Sequence, residues 1–305
     1  MTPEGVLEVV ANEPALRQLG VTLGEEYTVK GGDTGSGDLK IGGAAGLVIG
    51  DVITKVEGES TVELGMTESK NRVRGEAGTA VTLTILRDGE EFDVTIVRDS
   101  IKVVNVTWEM LDNVGYIRIR NFEENCAKDS IEAIEAAMAQ GAEGLVFDLR
   151  FNPGGLKNEL VTLLDYLLPE GVLFRAETYT GQESIDRSDA ACIQIPMAVL
   201  VNKDSYSAAE FFAAALQDYE YATIVGTQTY GKGYFQQCFP LSDGSAVNVS
   251  TGKYYTPKGN SLIGVGITPD KVVEVMDEEY LNIYYGKMAH EDDAQLLTAI
   301  AAVKE

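Results

Sequence analysis

The sequence predicts an α/β protein, a parallel-sheet core preceded by a small α+β unit. Three observations carry that reading. Near-continuous apolar runs at 144–151, 195–202 and 222–226 suit strands buried on both faces. Stretches with helical spacing separate them, which is the alternation of a parallel sheet. The chain has 305 residues, a length that suits roughly two domains.

Residues 1–45 are the least readable. LEVVANEPALRQLG (7–20) fits a short helix, and 31–46, with seven glycines, reads as loop. From Gly46 the pattern sharpens. GLVIGDVITKVEGEST reads as a strand pair, and MTESKNRVRG as a short helix ended by Gly75. TAVTLTILRDGEEFDVTIVRD is a β-hairpin turning at Asp88-Gly89. This small unit, 46–100, ends near Arg98. IKVVNVTWEMLDNVGYIRIRNF adds two strands. Ile131, Ile134, Ala137 and Met138 then recur at helical spacing. GLVFDLRF is a strand, NELVTLLDYLLPEG a helix stopped by Pro169, IPMAVLVN a strand, SAAEFFAAALQDY a helix and ATIVG a strand. The tail DDAQLLTAIAAVKE reads as an amphipathic helix packed on the body, within a final segment 281–305.

Composition excludes several classes. There are 24 basic and 48 acidic residues, a net charge of −24. So acidic a chain repels nucleic acid. A hydrophobic fraction of 45% with 24% charged residues is ordinary for a folded protein. No run of 18 apolar residues spans a membrane. MTPEGVLEVV lacks a basic n-region and an apolar h-region, so no signal peptide is visible, and an anchor before Met1 stays open. Cys126, Cys192 and Cys238 are far apart with no CxxC, which argues against a zinc site or a disulfide framework and leaves three small hydrophobes. The single histidine, His290, stands in polar KMAHEDD. A nucleophile here needs another base.

Three loops follow the C-terminal ends of the buried strands, where open α/β sheets gather ligands. They are Asn152-Pro153-Gly154-Gly155, Asp204-Ser205-Tyr206-Ser207-Ala208-Ala209 and Thr229-Tyr230-Gly231-Lys232-Gly233. Ser207 lies where a strand gives way to a helix, so the Ala208 amide is an unpaired donor of the first turn. A serine there can attack a carbonyl while that amide receives the oxyanion. Ser205 or Ser207 in that place also serves simply to cap the helix. Lys232, flanked by glycines, has open reach, and lysine can replace histidine as the base for serine. It accepts a proton only when neutral, a state that an apolar pocket favours, and Tyr230, Tyr234 and Phe235 are candidates to line one. A lysine between glycines is also a common exposed turn. Gly154 and Gly155 offer amides for an oxyanion hole, although Pro-Gly-Gly is more often only a turn. Gly226 to Lys232 fits the front of a P-loop, but Gly233 replaces the Ser or Thr and the next segment reads as a strand, so nucleotide binding is not expected.

At these loops the sequence resembles the carboxyl-terminal processing peptidases, or tail-specific proteases. The matching segments are GYIRIRNF, GLVFDLRFNPGG, VLVNKDSYSAAEFFAAALQDYEYATIVGTQTYGKGYFQ and PLSDGSAVNVSTGKYYTPKGNSLIGVGITPD, within 101–275. In that family the nucleophilic serine precedes the lysine of the Gly-Lys-Gly turn by 25 residues, as Ser207 precedes Lys232, which selects Ser207 over Ser205. The resemblance implies a crotonase-like protease core over 101–280. It also implies a Ser207–Lys232 dyad, Gln236 orienting Lys232, and an oxyanion hole from the amides of Gly154, Gly155 and Ala208. Residues 46–100 resemble the family's PDZ domain, without its first strand and carboxylate-binding loop, so a supporting or gating role is expected. The implied function is a serine endopeptidase acting on protein or peptide substrates with unstructured C-terminal tails. No metal or cofactor is implied. The implied location is outside the cytoplasm, and a membrane anchor beyond this chain or a homo-oligomer would fit. The alternatives are an inactive peptide-binding or regulatory scaffold on the same fold, and a small-ligand or acyl-CoA protein, for which no signature is present.

Overall fold

The computed structural model describes residues 7–8, 27–29, 39–41, 47, 51–98, 104–241 and 245–304. The chain divides into two units, Met1–Val104 and Asn105–Glu305, slightly beyond the expected boundary at 100. No helix among the described residues is long and apolar enough to cross a membrane.

The first unit contains β1 (Leu7–Glu8), β2 (Tyr27–Val29), β3 (Leu39–Ile41), β4 (Val52–Val56), β5 (Glu59–Ser60), α1 (Thr61–Val73), β6 (Ala80–Arg87) and β7 (Glu90–Val97). An antiparallel sheet runs β1-β4-β6-β7 with β5 on β4, and β2 pairs with β3 apart from it. Asp88 and Gly89 both take positive φ, as a type I′ hairpin turn requires, so the expected Asp-Gly turn stands. Alternation in β6 places Val81, Leu83 and Ile85 inside, and a register shift after Ile53 in β4 brings both Ile53 and Val56 to the same core. The Asp51 carboxylate, fully buried, is held by both ends of the Arg87 guanidinium at 2.6 and 2.7 Å. Two expectations change. The helix expected at 7–20 opens on strand residues Leu7–Glu8, and its remainder lies outside the described residues. The glycine-rich loop holds a short strand at Leu39–Ile41. α1 is kinked at Gly65, at φ 73 and ψ 166, and the helix expected from Met66 is its second part.

The second unit is built on a six-stranded sheet. Its strands are β8 (Val106–Leu111), β9 (Val114–Ile119), β10 (Gly144–Asp148), β13 (Met197–Val201), β14 (Ala222–Gly226) and β17 (Lys271–Val272). The order is β17-β14-β13-β10-β9-β8, parallel throughout except for antiparallel β8 at the edge. Helices α2 (Cys126–Ala139), α3 (Lys157–Leu167) and α4 (Ala208–Asp218) share one core with Ile117, Phe147, Val199 and Ile224. α6 (Ala294–Ala302) packs Leu296 and Ala299 against Tyr116, Val146, Leu200 and Val225, which face the other way. Cover on both faces explains why β10 and β13 are buried along their whole length and read as unbroken apolar runs.

A second, antiparallel sheet joins β11 (Gly171–Thr178), β12 (Glu183–Ser188), β15 (Tyr234–Pro240) and β16 (Ala246–Tyr255) in the order β12-β11-β16-β15. Of these only β15 was expected. Much of β12, β15 and β16 is exposed, so no apolar alternation marks them. The helix expected in the tail, 292–305, is α6, and it is preceded by α5 (Asp277–Tyr284) and a 3-10 turn at His290–Asp292.

A buried ionic cluster closes the C-terminal end of β10. Arg150 bonds Asp148 through Nε and Nη2 and Asp293 through Nη1, and Tyr116 donates to Asp148 Oδ2 at 2.6 Å. Burial alone raises a carboxyl, but the Arg150 guanidinium overrides it and holds Asp148 down to about 2. A depressed folded-state value means that the stabilisation is present above the ordinary 3.8 and is lost as pH falls through about 2. Asp148→Asn should therefore destabilise the chain at pH 7 by about 3–5 kcal/mol. The difference between variant and parent in chemical denaturation should shrink between pH 4 and 2. A pH-independent difference would show that the ionised carboxylate is not the source.

Candidate active site

The three loops expected from the sequence converge where β10, β13 and β14 end. The first follows β10. Phe151 takes φ 64, and its N–H donates to Asn202 Oδ1 at 3.0 Å. Asn152 is fully buried and donates to the Ile119 carbonyl at 2.8 Å, while its Oδ1 accepts from Gly154 N at 2.8 Å. Gly155, at φ 146, forms a β-bridge with Phe122, and a Cβ there would lie 2.4 Å from the Phe122 oxygen. A Cβ on Gly154 would lie 2.8 Å from both Ala208 N and Ser207 Cβ. Only glycines let this loop lie so close to the serine turn.

The second loop separates the two serines. Ser205 is buried; its hydroxyl donates to the Leu149 carbonyl at 2.8 Å and accepts from Asn202 N at 3.0 Å. It braces the loop. Ser207 is half-buried, immediately before α4, with φ 58 and ψ −124. A non-glycine residue in such a region costs about 1–3 kcal/mol and persists only where its surroundings over-determine it. Tyr206 N bonds the Asn152 carbonyl at 3.1 Å, which links the second loop to the first.

The third loop meets the second through Glu210, a residue to which sequence reasoning assigned no role. Glu210 is fully buried in the first turn of α4. Its Oε2 accepts from Ser207 N at 3.0 Å and from Lys232 N at 2.8 Å. Its Oε1 accepts from Thr229 Oγ1 at 2.6 Å and from Gly231 N at 2.7 Å. The four acceptor sites of an ionised carboxylate are thereby filled. Burial pushes this carboxyl above its usual range, and the four donors pull against that shift. The backbone nitrogens of Ser207 and Lys232 share one oxygen, so they lie no farther apart than those 3.0 and 2.8 Å bonds allow. The signal that would have revealed Glu210 is Ser207-Ala-Ala-Glu210, a capping-box spacing.

Lys232 is half-buried, with its Nζ 5.5 Å from the centroid of the Tyr206 ring. That ring takes the place expected of others: Tyr230 is 66% exposed and Phe235 stacks on Tyr254. Gln236 is exposed and donates to Ser250 Oγ at 3.4 Å; among the described residues no hydrogen bond joins it to Lys232. The candidate oxyanion amides also divide. Gly154 N–H is taken by Asn152, whereas among the described residues no bond occupies Gly155 N–H or Ala208 N–H. Lys232 precedes strand β15, as the sequence suggested, and the amides of Gly231 and Lys232 bind a carboxylate rather than pointing at an anion site. His290 packs on Tyr116 and lies 3.7 Å from Glu109. Of the three free cysteines, read as small hydrophobes, only Cys126 is core, its thiol pushed up to about 12 by burial; Cys192 is half-buried and Cys238 exposed.

The centre therefore gathers a hydroxyl on a strained turn, a primary amine over an aromatic face and two N–H donors without a partner among the described residues, one at a helix N-terminus. A sequence model of peptidase family S41 matches residues 113–273. A carboxy-terminal-processing protease of Bartonella bacilliformis is 40% identical over 240 residues, covering 75% of this chain and 55% of that protein. A carboxyl-terminal-processing protease of Synechocystis is 39% identical over 238 residues, covering 75% of this chain and 56% of its own. This chain thus spans about half the length of the curated relatives it matches. The solved photosystem II D1 C-terminal processing protease is 28% identical with a TM-score of 0.55, over 83% of this chain and 72% of that one. All three loops lie inside the matched residues, and the chain belongs to peptidase family S41.

Proposed function

We propose that this chain carries the catalytic centre of a serine endopeptidase that cuts proteins at or near their C-terminal tails, using Ser207 and Lys232. The observation that carries the reading is the Glu210 oxygen that binds the backbone of both residues. The names of the relatives supply the tail preference. In this mechanism neutral Lys232 Nζ takes the proton from Ser207 Oγ as that oxygen attacks the scissile carbonyl. The oxyanion is received by the N–H groups of Gly155 and Ala208. Lys232 then gives the proton to the departing amine, which leaves an acyl ester on Ser207. Water, deprotonated by the same amine, attacks the ester carbonyl; the Ser207 Oγ–acyl bond breaks, the protonated amine returns its proton to Oγ, and the carboxylic product leaves. Gln236, bound to Ser250, takes no step in this arrangement.

The crotonase-like description of the core belongs to the same proposal, as do a location outside the cytoplasm and unfolded protein substrates. Residues 46–100 act in it as a PDZ-like gate or support.

Ser207→Ala and Lys232→Ala should each lower cleavage of casein by at least about 10³-fold with an unchanged circular dichroism spectrum. Full activity in either variant would dismiss the dyad. Glu210→Gln deprives two donors of an acceptor whichever way the amide turns, at about 1–3 kcal/mol each. It should lower Tm and reduce kcat about 10–100-fold; an active, equally stable variant would separate the carboxylate from the site. Removing residues 1–104 tests the gate: casein cleavage should persist or rise, and its loss would make that unit a substrate receptor.

A further inference from the structure

Residues 277–296 follow the last position matched to the S41 family, 273, yet they reach the bases of two loops of the centre. The meeting point is Tyr280 on α5. Its ring lies edge-on to Phe151, with centroids 4.7 Å apart and planes at 65°. Lys203 Nζ lies 4.2 Å from the centroid of the same ring. Phe151 directly precedes Asn152-Pro153-Gly154-Gly155, and Lys203 opens the turn that ends at Ser207. One side chain thus touches the stems of the loops that carry the oxyanion donors and the hydroxyl.

Phe151 shows why the contact matters. A bulky residue at φ 64 is strained and is held there by its neighbours. Three neighbours hold it: Asn202 binds its N–H, and Tyr280 and Tyr284 enclose its ring, the latter at 5.1 Å between centroids. Arg150, the residue before it, is anchored on Asp293 in the same C-terminal segment. The Tyr280 hydroxyl is buried with no hydrogen-bond partner among the described residues, so the ring makes these contacts and the hydroxyl does not.

We propose that Tyr280 is a positioning residue for the reaction. Its ring ties the Gly154-Gly155 loop and the Ser207 loop to one helix, and so keeps the N–H donors aligned with the attacking oxygen. This inference rests on the serine-peptidase reading of the same centre. A displacement of about 1 Å at reacting groups costs on the order of 10²-fold in rate. Tyr280 touches the loop stems at Phe151 and Lys203 rather than the reacting groups, so the loss falls on kcat and not on substrate binding.

The test uses the full chain, fluorescein-labelled casein for kcat and KM, and a fluorophosphonate probe for the labelling rate of Ser207, all well below Tm. Tyr280→Ala should lower kcat and the labelling rate at least about tenfold with KM within about twofold. Tyr280→Phe, which keeps the ring, should restore both. A Tyr280→Ala protein with lower Tm but parental kcat overturns the inference, because the ring then serves packing alone. A loss shared by Tyr280→Phe also overturns it. Where Tyr280→Ala does not fold, Phe151→Leu weakens the same contact from the loop side and is read in its place. A parent chain inert to both casein and the probe would instead remove the serine-peptidase reading itself.

Discussion

One buried carboxylate holds the centre together. Glu210 sits in the first turn of α4, where a negative charge suits the helix dipole, and collects four donors from two loops distant in sequence. Ser207 precedes it by one helical turn, and Thr229, Gly231 and Lys232 come from beyond the next strand. A charged group in a dry interior is costly unless fully hydrogen-bonded. That cost is what makes the arrangement specific: any geometry that parts the Lys232 turn from the Ser207 turn leaves the charge without its donors.

The rest of the second unit serves that constraint. Parallel strands β10, β13 and β14 end at one level, so the loops leaving them meet. α4 is buried from Ala208 through Leu216, which leaves it no freedom to tilt away from the sheet. Backbone strain gathers at Ser207 and Phe151, and both are pinned through their N–H groups, Ser207 on Glu210 of α4 and Phe151 on Asn202 of the neighbouring loop. The ionic cluster of Asp148, Arg150 and Asp293 fixes the stem of the first loop to the C-terminal segment. Rigid support around a strained centre is the arrangement expected of preorganised electrostatic catalysis.

Legibility followed burial. β10 and β13 were readable because helices cover both faces, and a short strand dry on both sides carries an unbroken apolar run. The Asp88-Gly89 turn was readable because positive φ at two successive residues selects those types. β12 and β16 were not, since exposed strands carry no periodic apolar signal. Ser207 and Lys232 stood out through their glycine and alanine neighbours. Glu210 did not, because a glutamate three residues into a helix looks like an ordinary cap until the Lys232 turn is seen to share it. Gln236 shows the converse: the family resemblance implied an orienting role, and its side chain meets Ser250.

The sequence by itself determined the class of fold and the order of strands and helices in the core, and it singled out Ser207 and Lys232, the pair proposed for nucleophilic attack. Those are local matters, set by period, turn chemistry and side-chain type. Only the tertiary structure decided which amides remain open, which ring lies under the lysine, and that Glu210 and Tyr280 tie the loops together. Such choices depend on contacts between residues far apart in the chain, where the cost of an unpaired buried group selects one arrangement among many that the local pattern allows.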